Sequence, residues 1–194
     1  MLHYHQIQEL TTHRRHWHDP AQPFQSLSVI WLEIEPSKSP PAEKLCEALH
    51  ATVTTWEASD HFAQLNAVLA TVAPPRTVNK VIAFALGSLS WDAQPSAQTI
   101  LQHAFLLALG KSLAPHDGRL LTCYAQDPAY TTEDKEVLAG EGISILYDPQ
   151  GFIDVDDDTI LLSIAPNVPV SQIVADIARP AVIVWERDSV EYPW

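Results

Sequence analysis

The chain has 194 residues, 46% of them hydrophobic, with 24 acidic side chains against 11 basic ones and a formal net charge of −13. That length and apolar fraction suit one sizeable domain with a buried core. The charge excludes a nucleic-acid binder built on a basic stripe, and an anionic-membrane binder, since Arg14-Arg15 is the only adjacent basic pair.

Residues 1–25 are polar and rich in histidine, and Pro20 and Pro23 break them into an arm. Ser26 to Glu35 alternates as a strand at the edge of the fold. After the Pro36–Pro41 turn, with Ser39 as a cap candidate, Leu45, Leu49, Val53 and Trp56 mark one face of a helix. A second helix is capped at Ser59-Asp60, turns Phe62, Leu65, Val68, Leu69 and Val72 inward, and stops at Pro74-Pro75. Val81 to Leu86 is an unbroken apolar run, the mark of a strand covered on both faces. Asp92 to Leu109 reads as a helix with Ile100, Leu101, Ala104, Phe105 and Ala108 inward and Gly110 as its stop. A strand at Leu120–Ala125 follows, then a helix at Thr131–Ala139 with threonine caps and acids in its first turn. Strands at 143–147, 159–165 and 181–185 alternate with the Asp148–Gly151 turn and a short helix at 170–178.

This alternation of strand and helix predicts an α/β fold, a Rossmann-like three-layer sandwich. Its mostly parallel sheet has five or six strands, with the Val81 strand central and the switch point beside it. The expected organisation is an arm over 1–25 and one α/β domain over 26–194, with its core at 78–188.

In such a sheet, ligands bind outside the carboxyl ends of the strands. Three breaks fall there: Gly87, Ser88 and Ser90 after the first core strand, Gln126 and Asp127 after the second, and Asn167 after the fourth. These six are the candidate ligand-binding residues. One glycine stands where a dinucleotide fingerprint needs three. The turn is therefore a tight strand-to-helix connection, or a place where Ser88, Ser90 and helix-start amides capture a small anion. Asp127 can accept from ribose hydroxyls or cap its own turn before Pro128. Tyr124 and Tyr130 can wall the same rim, and His103 reads as a core-edge histidine.

No hydrolase elbow of the form GxSxG occurs, and the sequence names no catalytic residue and no cofactor. His3, His5, His13, His16 and His18 crowd the arm without acidic or thiol ligands at a metal spacing, so no metal site is expected. Cys46 and Cys123 have no CxxC partner and read as two thiols in a reducing compartment. The N-terminus lacks the pattern of a secretory signal, and no run is long enough for a membrane helix. The expectation is a cytoplasmic protein with nuclear access, no nucleic-acid or membrane partner, and either a small-molecule ligand or a protein partner such as a second copy.

The run from Val81 to Arg187 resembles the SRR-like domain family (sensitivity to red light reduced), in its fungal branch. The matching pieces are Leu86-Gly87-Ser88, Gln102-His103-Ala104, the segment from Tyr124 to Tyr130, the helix from Asp134 to its glycine end at Gly142, Asp148 to Phe152, Ala165 to Pro169 and Ile173 to Pro180. The family turn often reads Gly-Leu-Gly-Ser, and Ala85 replaces its first glycine here. The resemblance implies a non-catalytic regulatory or small-ligand-binding protein, linked to signalling or haem metabolism, and carries over no catalytic residue. Two alternatives stand beside it. One is an enzyme using a nucleoside-containing cofactor, methyltransferase-like or oxidoreductase-like, motivated by Asp127. The other is a self-associating scaffold, motivated by Trp17, Trp31, Trp91, Trp185 and Trp194.

Overall fold

The structure is a computed structural model that describes residues 2–3, 28–29, 39–71, 78–113, 121–164 and 166–185. Nearly all of the arm, most of the Ser26–Glu35 strand, Val72, Trp17, Trp31 and Trp194 lie outside these residues. Within them, β1 (Leu2–His3) and β2 (Ser28–Val29) pair antiparallel in a ladder of their own. Then come α1 (Ala42–Glu57), α2 (Asp60–Thr71) and β3 (Lys80–Phe84). A hairpin follows, of β4 (Ser90–Trp91) and β5 (Gln94–Pro95), and after it α3 (Ala97–Ser112), β6 (Thr122–Gln126), α4 (Thr132–Gly140) and β7 (Ile143–Ile145). The chain ends, as described, with α5 (Gln150–Asp154), β8 (Thr159–Ser163), α6 (Val170–Ile177) and β9 (Val182–Trp185).

Five strands form one parallel sheet in the order β7-β6-β3-β8-β9. The chain starts in the middle with β3, adds β6 and β7 to one side, then crosses to add β8 and β9 to the other. This is the doubly wound Rossmann-like plan, and it puts the topological switch between β3 and β8. The apolar run of β3 follows from that position. Val81 and Ala83 belong to a core with Leu45 and Leu49 of α1, Ile100, Ala104 and Leu109 of α3, and Val137 and Leu138 of α4. Ile82 and Phe84 belong to a second core with Leu161, Val170 and Val174, against which Phe152 packs. Helices α1, α3 and α4 therefore cover one face of the sheet, and α5 and α6 the other. No described helix is long and apolar enough to cross a membrane.

Four expectations are corrected. The long helix begins at Ala97, not Asp92, because Asp92 and Ala93 take φ of +50° and +59° and turn the β4–β5 hairpin. Gly110 does not stop that helix but lies inside it, where an added Cβ would sit 2.8 Å from Cys123 Sγ. It is the small residue that lets α3 approach β6. Leu101 and Val68, expected inward, are 42% and 59% exposed. In α2 no residue is buried, since it is an outer helix. Finally, Ser39 does not cap α1; its hydroxyl meets Ser90.

Candidate functional site

The strands of the main sheet run parallel, so the loops after β3, β6 and β8 leave from one edge. The six expected binding residues all lie on it, but they divide into three groups.

The first group is built around the loop after β3. Ala85 takes φ of +61° and Gly87 φ of +73°. A Cβ on Gly87 would come within 2.9 Å of Thr99 Cγ2 at the start of α3. Two carboxylates hold this loop. Asp127 accepts from the amides of Gly87 at 2.7 Å and Ala129 at 2.8 Å. Asp134, with no exposed surface, accepts from the amides of Leu89 at 3.1 Å and Thr131 at 2.8 Å. Thr131 returns the favour to the amide of Asp134 at 3.2 Å, which completes the capping box of α4. The Ser88 and Ser90 hydroxyls lie 3.3 Å apart, and Ser90 continues the chain to Ser39 at 3.4 Å, which Thr131 reaches at 3.5 Å. Loop amides that a phosphate would seek thus already face fixed negative charge.

Behind this loop lies a buried aromatic pair. His103 Nδ1 is 2.7 Å from the carbonyl oxygen of Thr99 and must donate to it, which leaves Nε2 to accept from the Tyr130 hydroxyl at 3.0 Å. Burial holds the imidazole below its ordinary value of 6.5, against the charges of Asp134 and Asp127, so it stays neutral. Burial, with those same charges, pushes the Tyr130 phenol well above 10. The expected core-edge histidine is a fully buried one whose two nitrogens are both engaged.

Gln126 forms the second group, and it turns away from the first. Alternation along β6 points it to the α5 face, where Nε2 donates to Asp148 at 3.1 Å and Oε1 accepts from the Gly151 amide at 2.6 Å. It positions α5, a helix hidden in what reads as a simple turn.

Asn167 is the third. It is exposed after β8 and hydrogen-bonds none of the other five. Beside it the sequence reading missed Ser163, the last residue of β8, paired in register with Phe84 and Trp185. Ser163 is 3% exposed, yet its hydroxyl has no partner among the described residues. Trp56 Nε1 is the other such atom; it lies by an open groove of about 430 Å³ between α1, the start of α2 and α3. No sequence signal marks Ser163, because a serine at a strand end is ordinary until its burial is known.

The model of the SRR1 domain family matches residues 46–188. This chain belongs to the SRR1 domain family. The SRR1 match begins well before Val81, where the resemblance in the sequence starts, and takes in most of α1 and all of α2. No curated protein and no solved structure matches the chain. Within the SRR1 domain here, Ala85 takes the left-handed conformation, which alanine adopts only at a cost. Ala85→Gly is expected to raise stability by about 1 kcal/mol in urea unfolding, and an unchanged or lower midpoint would refute the strain.

Proposed function

We propose that this SRR1 domain protein is a non-catalytic regulatory module that binds a small polar molecule in the crevice at the β3–β8 switch. One observation carries the reading: the hydroxyl of Ser163, at the carboxyl end of β8 beside the switch, is buried and has no partner among the described residues. A buried polar group without a partner is destabilising by about 1–3 kcal/mol, so it is retained where something else supplies the bond. Phe84, in register with Ser163, is buried and stacked on Phe152, and Asn167 offers an exposed amide on the loop that follows.

The rest of the edge supports binding rather than chemistry. Asp127 and Asp134 are engaged by backbone amides, and His103 and Tyr130 by each other. The carboxylate on the Gly87 amide also counts against the alternative of a nucleoside cofactor held by its phosphates, because the phosphate would have to displace a like charge. The regulatory role follows the family resemblance, with its links to signalling and haem metabolism. A scaffold role keeps two observations in its favour: Trp91, in the β4–β5 hairpin, is 81% exposed, and Trp185, at the end of β9, 53%. Light scattering that finds a dimer lost in Trp91→Ala would support it.

The test is a thermal-shift and calorimetric screen with nucleotides, S-adenosylmethionine, haem and acidic metabolites. A stabilising compound is expected, and Ser163→Ala should weaken its binding about tenfold, as for a lost hydrogen bond of about 1.4 kcal/mol. The same substitution, in the free protein, should leave stability unchanged or raise it. The reading is overturned if no compound stabilises the protein, or if binding ignores Ser163.

A further inference from the structure

Away from the carboxyl edge, the packing of α1 against α4 gathers three side chains of metal-ligating type. Cys46 and His50 stand four residues apart on α1, so one helical turn places them on the same face. Glu141 follows the last turn of α4 and leans across. Cys46 Sγ lies 3.8 Å from each ring nitrogen of His50, and His50 Nε2 lies 2.6 Å from Glu141 Oε1. The ligand atoms of all three fall within 4.8 Å of one another.

We propose that Cys46 Sγ, His50 Nε2 and the Glu141 carboxylate bind a zinc ion that joins α1 to α4. Tetrahedral zinc, with bonds of about 2.3 Å to sulfur and about 2.0–2.1 Å to nitrogen and oxygen, sets neighbouring sulfur and nitrogen ligands roughly 3.6 Å apart and nitrogen and oxygen roughly 3.3 Å apart. The sulfur–nitrogen separation is close to that value, but the sulfur stands equally far from both ring nitrogens, so the exposed imidazole has to turn about its side-chain bonds to aim Nε2 at a shared ion. The nitrogen–oxygen pair is held close by a shared proton and has to open by about 0.7 Å to reach that spacing when the metal takes its place. On binding, the thiol releases its proton to solvent, and the proton shared by Nε2 and Glu141 leaves Nε2 and is replaced by one on Nδ1 through exchange with solvent, so the coordinated imidazole is neutral. Water fills the fourth position. Entry is open, since the His50 side chain is 58% exposed and Cys46 only partly buried. The donor set selects the metal: thiolate and imidazole suit zinc, whereas magnesium and calcium want oxygen alone. An interhelical His50–Glu141 pair by itself leaves the thiol without a role. The sequence reading of metal sites weighed only the arm's histidines; this set depends on a glutamate brought in from nearly a hundred residues away.

Cobalt(II) titration of the full chain tests it. The expected result is a thiolate-to-cobalt charge-transfer band with the intense visible bands of a tetrahedral site, both reversed by zinc. His3, His5, His13, His16 and His18 offer imidazole only and cannot produce the thiolate band. Cys46→Ser should abolish that band, and His50→Ala should weaken binding at least tenfold, roughly the lower loss seen when even an outer-sphere partner is removed. Zinc should raise the melting temperature of the wild type but not of Cys46→Ser. Absence of the thiolate band in the wild type, or its persistence in Cys46→Ser, would overturn the assignment.

Discussion

Asp134→Ala is expected to lower the free energy of unfolding by about 2–4 kcal/mol, the combined effect of an unpaired buried amide and a lost helix cap. Its carboxylate has no exposed surface and accepts from both Leu89 and Thr131. Water cannot replace it at the Leu89 amide, which is buried. The substitution frees the loop after β3 and frays the first turn of α4 together. Asp134→Asn keeps one acceptor oxygen and should recover about half of the loss. Urea denaturation of the three proteins measures this, and amide exchange at Leu89 localises it. A change under about 0.5 kcal/mol, the range of ordinary surface substitutions, would mean that the carboxylate does not anchor the loop.

Leu49→Ala should be larger still, at about 2–5 kcal/mol, the range for a leucine cut back to alanine inside a packed core. Leu49 is on α1, is 0% exposed, and shares a core with Val81 and Ala83 of the central strand. Helix α1 thus takes its place beside α3 and α4 as part of the layer that covers the sheet. Calorimetry should show one transition, shifted down. A separate low-temperature transition, with the main one unmoved, would mark α1 as an attachment rather than a wall.

Much of this architecture was legible because burial on both faces leaves an unbroken apolar run, as in Val81–Phe84, and because Gly and Pro punctuate the turns between runs. All five core strands and the switch beside β3 follow from those two signals. What escaped has physical causes. The β4–β5 hairpin depends on Asp92 and Ala93 adopting left-handed backbone, which neither residue advertises. Gly110 looks like a helix stop in sequence and proves to be a contact point with Cys123. Leu45 and Leu49 showed a buried stripe, but not what they would be buried against.

The candidate site was legible in part. Gly87 and Asp127 were singled out as ligand groups, and the structure brings them together as partners of each other. Asp134 was read only as an acid in a helix's first turn. Its reach to Leu89, 45 residues away, belongs to tertiary packing. Gln126 was placed on the right strand end, but the two-residue alternation sends it to the opposite face.

The pairing of Lys80 with Thr159 across the switch has a consequence during synthesis. The first core strand to leave the ribosome is the one that ends at the centre of the sheet, and its two flanking partners are translated roughly forty and eighty residues after it. Until β8 emerges, β3 holds a hydrophobic edge with no neighbour on that side, open to pairing with other chains. Folding is therefore gated by a late contact, and nascent chains halted before Thr159 should depend on chaperones for solubility.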